Sequence, residues 1–572
     1  MFEALREFCF YNNSVSLYLF NQIIGTDVHG IVPTQLLTDV NNNIDIPNVN
    51  LDDTQRQAVL NALRHPLSLI TGPPGTGKTH VAAAVIYNLY TLRREQNDKI
   101  LVCSPSNVAT DNLYQSLLRL NLNAIRVVSK SREILYPRGT NGNYLHLLLE
   151  QQDHPEFQKL LRLKRQNVFL PKADYARYKQ LKQMLEGRIL TKYDIVVATC
   201  ITSSNDTLVS KQFKFVIIDE TTQANEIECL VPITHHAEKV ILIGDEKQLG
   251  PVVFSQRAVN LGLTRSMFER LKRLNIPETM LLTQRRMHPR ISLFPSDTFY
   301  NGQIRNGCTA QDRTDINVIN HYIFRDALID NVDNIKSKQK EKEPTLFFHV
   351  RGEELFGTSG TSFYNIEEAR IVYSMVRRLY NLGVDLVNIG IITPYTEQKI
   401  YLLNIFMQNE NEFNNIPQLE IASIDGFQGR EKDYIFISCV RSNALHQIGF
   451  VKDERRLNVM LTRAKKGLII VGNAISLFYN CMLWERLLRN YSARRILVTG
   501  NDIEHIDEFQ LPERNEGVHE QEGFNCDRIR FDFDDWRIWE NFEMDYRNMH
   551  FFNWERRNDN GRRRRWNYYN GW

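Results

Sequence analysis

One stretch constrains this chain more than any other. Leu67–Thr71 is a short apolar run that passes directly into Gly72-Pro73-Pro74-Gly75-Thr76-Gly77-Lys78-Thr79. That loop fits the phosphate-binding pattern G-x-x-x-x-G-K-[ST], and the VAAAVIYNLY that follows is helical in character. Gly72, Gly75 and Gly77 leave room for main-chain N–H groups to turn inward onto a polyphosphate. The positive end of the next helix adds to that field. Lys78 is expected to reach the β- and γ-phosphates, and the Thr79 hydroxyl to hold Mg2+. A strand, loop and helix in this order predict an α/β fold with a parallel sheet.

The flanking sequence keeps the same rhythm. Residues 100–103 and 126–129 read as strands around a helix at 107–120. Ser104-Pro105-Ser106-Asn107 makes a hydroxyl-rich helix start, suited either to a nucleic-acid phosphate or to ordinary capping. Residues 136–190 break the alternation with basic amphipathic helices, which read as a helical insertion. The sheet resumes at 193–198. Residues 215–220, FVIIDE, form a strand ending in paired carboxylates. There Asp219 can bind Mg2+ through water, and Glu220 can orient and deprotonate an attacking water. The next strand, 240–243, runs into GDEKQLGP, where Gln248 sits at a strand end suited to sensing a γ-phosphate. Upstream, Gln55 could present its amide to an adenine edge. From spacing alone a solvated helical glutamine is the plainer reading.

A second alternating set follows, with strands at 345–350, 388–392, 419–423, 434–439 and 468–471 and helices at 366–382 and 456–464. It has no phosphate loop. It therefore reads as a second doubly wound domain facing the first. Phosphoryl transfer needs positive charge on the transferring group, often an arginine from a facing surface. Arg286 and Arg463 lie in this second half. If both meet the γ-phosphate only when the halves close, nucleotide state sets the angle between them.

Bulk properties narrow the partners. The net charge of +3 over 572 residues points to no strong polyanion field, so a nucleic-acid footprint must be a local groove. Eight scattered cysteines without a C-x-x-C pair argue against a zinc module and a disulfide framework. No apolar run approaches the ~18 residues of a membrane span, and no signal peptide is visible at the start. The N-terminal residues 1–50 read as helical pieces, a mixed strand at 28–37 and an Asn-rich linker at 40–50. After Lys466 no lysine occurs, and five of the six tryptophans lie at 536 or beyond. This Arg- and aromatic-rich tail, 501–572, is expected to be disordered and suits stacking on unpaired bases.

Taken in order, GPPGTGKT, VCSPSNVATDNL, IIDETTQA, GDEKQLGPVV, QRRMHP, ITPYTEQ, SIDGFQGREKD and RRLNVMLTRAKKGLIIVGN resemble superfamily 1 RNA helicases. The likeness is strongest to the up-frameshift, or regulator of nonsense transcripts, family, and it runs from about residue 15 to about 500. It implies two RecA-like domains, 51–285 and 286–500. It also implies ATP-driven 5′-to-3′ movement on single-stranded RNA or DNA in mRNA surveillance. By position, Gln55 would recognise adenine and Gly75, Thr76, Gly77, Lys78 and Thr79 would cradle phosphate. Asp219 and Glu220 would handle Mg2+ and water. Gln248, Arg286 and Arg463 would contact the γ-phosphate, and Glu431 the sugar side. Ser106, Asn107, Thr393 and Pro394 resemble strand-contacting positions.

The chain departs from the family in three places. Arg285 stands where the family has the tyrosine expected to stack on adenine; a guanidinium plane can stack too. These 572 residues carry no counterpart of the family's zinc domain or of most of the small β-barrel before residue 15, so a partner docking on that domain is not expected of them. The tail lacks Ser-Gln pairs. A monomer, cytoplasmic with the nucleus open to it, is the expectation. An ATP-gated RNA clamp that does not unwind, and a DNA helicase of the same superfamily, are the competing readings.

Overall fold

The computed structural model describes residues 1–513, except 11–13, 27, 30–36, 38, 39, 41–43, 45, 48, 49, 96, 167, 168, 315–342, 358, 359 and 361. Most of the strand expected at 28–37, parts of the linker at 40–50 and the tail from 514 lie outside the described residues.

The first sheet holds β1 (Leu67–Thr71), β2 (Ile100–Ser104), β3 (Ala124–Arg126), β4 (Ile195–Thr199), β5 (Phe215–Ile218), β6 (Lys239–Gly244) and β7 (Glu278–Met280). Their order is β3-β4-β2-β5-β6-β1-β7, and every neighbouring pair is parallel. The apolar runs explain this. A strand covered on both faces needs no polar side, so it reads as a continuous hydrophobic run. Side chains then alternate between two cores as the pleat requires. Leu101 and Cys103 join one core with Val196, Val216 and Leu242. Ile100 and Val102 join the other with Ile195, Phe215 and Ile241. Because all strands point the same way, their C-terminal ends share one edge. The phosphate loop leaves β1 there, Asp219 leaves β5 and Asp245 leaves β6.

Between β3 and β4 the chain forms the helices Leu145–Glu150, Pro155–Arg165 and Lys172–Thr191. Phe157 and Tyr178 stack at 5.6 Å and anchor these helices to the core. Strand β3 begins earlier than the sequence suggests, because a charged residue ends it. Arg126 is fully buried, held by Asp111 at 2.8 Å and Asn107 at 3.1 Å. The sequence pattern places Arg126 at the start of this strand, whereas the buried arginine ends it.

The second sheet has seven strands, in the order Glu420–Ala422, Ile389–Ile392, Lys432–Ser438, Ala464–Gly472, Thr345–His349, Leu497–Gly500 and Ile506–Glu508. All pairs are parallel except the last, which is antiparallel. The fold therefore continues past residue 500, where the sequence suggested a tail. Buried Ile506 and Phe509 supply the apolar anchor in that polar stretch.

Candidate functional site

The phosphate loop is built around two left-handed glycines, Gly75 at φ +76° and Gly77 at φ +83°. Gly77 precedes the helix Lys78–Leu92, and a Cβ there would come within 2.9 Å of Gln55 Nε2. Lys78 Nζ donates to the Gly72 carbonyl at 2.8 Å and lies 3.8 Å from Glu220 Oε1. Thr79 Oγ1 donates to Asp219 Oδ2 at 3.1 Å. Glu220 takes a left-handed backbone, φ +54°, as the chain turns out of β5. Such a conformation costs a non-glycine residue energy and is found where function fixes the geometry. Burial, then the adjacent Glu220 charge, pushes the Asp219 carboxyl up from its ordinary range, and Lys78 opposes the shift. A hydroxyl and a carboxylate converging beside a lysine and a second carboxylate suit a hard cation that keeps several waters.

The opposite wall comes from β6 and the second domain. Asp245, at the end of β6, accepts from Gln248 Nε2 at 2.6 Å. Arg463 Nη2 donates to Gln248 Oε1 at 3.1 Å. Burial and the nearby Arg286 lower Arg463 to about 9, against the pull of Glu220. Arg463 thus feels the charges of Arg286 and Glu220, and Arg286 lies against the Gly75 turn of the phosphate loop.

Arg286 arrives differently from expectation. It does not depend on the second domain to reach the phosphate loop. Strand β7 pairs with β1, so the segment after it runs beside the loop. Leu281 N donates to Thr71 O and Arg285 N to Gly75 O, both at 2.8 Å. Buried Gln284 folds the turn by accepting from Arg286 N at 2.9 Å and Met287 N at 2.8 Å. From there the Arg286 guanidinium crosses to the second domain, donating to Glu431 Oε2 at 2.5 Å and Thr462 O at 3.1 Å. Glu431 also meets Lys465 at 3.0 Å. Burial works against its charge, but Arg286 and Lys465 outweigh it and hold the carboxyl down to about 2.

Gln55 is buried, and both ends of its amide are engaged. Its oxygen accepts from Asp52 N at 3.1 Å in a capping box, and its nitrogen donates to Thr76 O at 2.9 Å. It braces the phosphate loop rather than offering a free edge. Arg285, half-exposed, lies over this corner with Nη1 3.1 Å from Asp52 Oδ2 and 3.5 Å from Gln55 Oε1.

The four positions read as strand contacts lie at the C-terminal edges of the two sheets. Ser106 caps the helix Asn107–Arg119, and Asn107 accepts from Arg126. Thr393 is fully buried and presents no side-chain surface, while Pro394 beside it is half-buried. Sequence reasoning missed Gln284, Asp245, Tyr300 and Asn458 as parts of the crevice. Tyr300 Oη donates to Asp245 at 2.7 Å, and Asn458 bridges to Tyr300 and to Lys247 O. Asp245 and Asn458 lie inside recognisable motifs, but Tyr300 carries no such signal.

Two family models, both described as AAA domain, match the chain. One covers residues 50–167 and 148–256, the other 263–475. The ATP-dependent helicase NAM7 of Saccharomyces cerevisiae is 40% identical over 514 residues, 89% of this chain and 50% of that protein. A regulator of nonsense transcripts 1 homolog from Neurospora crassa is 39% identical over 505 residues, 87% of this chain and 44% of its own length. The homolog from Drosophila melanogaster is 39% identical over 540 residues, 91% of this chain and 43% of its length. The chain spans about half the length of the curated relatives it matches.

Proposed function

The chain belongs to the regulator of nonsense transcripts family of helicases, and from that premise we propose that it is an ATP-hydrolysing motor that moves on single-stranded RNA. One observation carries this reading. Lys78, Glu220 and the Thr79–Asp219 pair lie on the phosphate-loop side of a crevice into which Arg286 and Arg463 also reach.

Gly75 to Thr79 wrap the triphosphate, and Lys78 leaves the Gly72 carbonyl to meet its β- and γ-oxygens. Thr79 and Asp219 would hold Mg2+, which would supply positive charge against the phosphate oxygens. Glu220 aligns the attacking water and accepts its proton. Arg286 and Arg463 offset the charge that develops on the transferring group, and Gln248 reports its presence to Arg463. The resemblance assigns Ser106 and Pro394, each just beyond the C-terminal end of a sheet strand, to contacts with the nucleic-acid strand. Hydrolysis removes what holds the two domains together, so grip on that strand alternates. Movement 5′-to-3′ is what the family resemblance implies, and a role in the surveillance of nonsense transcripts is in keeping with the relatives' names.

The test is ATP turnover by the purified chain with matched RNA and DNA oligomers. RNA is expected to stimulate turnover, and Lys78→Ala to reduce it by 100-fold or more, on the order seen when one phosphate-stabilising group is removed. No stimulation by either polymer, with Lys78→Ala indistinguishable from the parent, would end the proposal.

A further inference from the structure

Tyr300 follows the helix Pro289–Phe299 and is almost wholly buried. Its hydroxyl donates to Asp245 Oδ2 at 2.7 Å and accepts from Asn458 Nδ2 at 2.8 Å. The same Asp245 oxygen accepts from Gln248 Nε2 at 2.6 Å. With its nitrogen held there, the Gln248 amide can turn only its oxygen to Arg463, at 3.1 Å. Arg463 Nη2 also donates to Thr462 Oγ1 at 3.0 Å, and that hydroxyl donates to Asn458 O at 2.7 Å. Tyr300, Asp245, Gln248, Arg463, Thr462 and Asn458 thus close a ring of hydrogen bonds, and all six are buried.

Two halves of the protein meet in this ring. Asp245 and Gln248 follow β6 of the first sheet, and Asn458, Thr462 and Arg463 belong to the second domain. Water does not reach these groups, so a missing donor is not replaced and the cost of a broken link stays in the network. Among the described residues Asn458 Oδ1 is buried with no partner, so the Asn458 side chain is held by its nitrogen alone, through Tyr300 and Lys247 O. Remove the Tyr300 hydroxyl and Asp245 keeps only Gln248, Lys247 N and its main chain, while Asn458 loses its hold on the first domain's carboxylate.

We propose that Tyr300 is a positioning residue: its hydroxyl orients Asp245, and through it Gln248 and Arg463, so that both face the transferring phosphate only when the two domains are closed. This rests on reading the crevice as the site of ATP hydrolysis. The variant is Tyr300→Phe in the full chain. RNA-stimulated turnover is measured beside equilibrium binding of a fluorescent, non-hydrolysable ATP analogue and the thermal midpoint. A 10- to 100-fold loss in kcat is expected, with affinity for the analogue within about two-fold, because the ring serves the transition state rather than ground-state binding. Adding Gln248→Ala to Tyr300→Phe is expected to cost nothing further, since residues acting as one unit are non-additive. A kcat within two-fold of the parent, or losses that multiply in the double variant, overturns the inference. Should Tyr300→Phe fail to fold, Asn458→Ser gives the same reading: lower kcat at unchanged affinity supports the ring, unchanged kcat refutes it. Absence of hydrolysis by the parent chain removes both this inference and its premise. Hydrolysis by the parent with an indifferent Tyr300→Phe removes this one alone.

Discussion

Glu220 and Lys78 stand 3.8 Å apart at the head of the crevice. A buried lysine without a counter-ion is costly, and Glu220 supplies that counter-charge. Glu220 also accepts from Gln223 Nε2 at 3.0 Å, which fixes the carboxylate's direction. Glu220→Gln keeps the shape and removes the base. Turnover is expected to fall by 10²- to 10⁴-fold, the range of general-base catalysis, while the fluorescent analogue binds as before. A variant that turns over normally would show that the water is activated elsewhere. Residue-level reading of the sequence named these groups because motif spacing fixes them. It did not see that Gln55 is already committed to Asp52 N and Thr76 O, because spacing carries no information about which hydrogen bonds a side chain has made.

Elements were legible where burial is symmetrical. β1, β2, β4, β5 and β6 are covered on both faces and announce themselves as apolar runs. The edge strand β3, expected at 126–129, instead ends on the buried Arg126, while Ile506–Glu508 rests on two apolar residues and escapes the pattern. The helix Ile366–Asn381 hides another exception. Glu368, in its first turn, is fully buried among Ser438, Val440 N and the helix cap Asn365. Its Oε1 has no hydrogen-bond partner. Burial raises its carboxyl to about 8 from the usual 4.5, against the hydrogen bonds from Ser438 and Val440. The folded chain therefore keeps a proton that the unfolded chain releases. This contribution is fully present below about pH 4.5 and is lost as pH rises toward 8. Within that window each pH unit costs about 1.4 kcal/mol. Glu368→Gln has no proton to lose, so its thermal midpoint is expected to gain on the parent's from pH 5 to pH 8. Parallel curves for the two proteins would refute this.

On the scale of the whole molecule, the contacts between the two domains include Arg286 to Glu431 and Thr462, Arg463 to Gln248, Asn458 to Lys247, Tyr300 to Asp245, and Arg455 to Glu269 at 2.5 Å, with Leu249 packed into the second core. The sequence made two facing lobes legible, but not the unequal parts played by the two arginines. Arg463 belongs to the far lobe, whereas the main chain at Arg285 is bonded to the phosphate loop. Arg463→Ala is expected to lower kcat by 10³-fold or more, as for a removed arginine finger, and to erase the nucleotide-dependent change in distance between fluorophores on the two domains. Arg286→Ala is expected to slow turnover yet keep that change. Identical behaviour of the two variants would contradict the asymmetry.

One counter-charge, then, travels with the cradle and the other with the opposite lobe. On the proposed reading, thermal breathing of an occupied crevice sheds Arg463 alone and leaves Lys78 and Arg286 beside the triphosphate, so an opened molecule is expected to retain its fuel. Long idle dwells, rather than futile swapping of one nucleotide for another, are then the expected way for the proposed motor to slow when its far contact weakens.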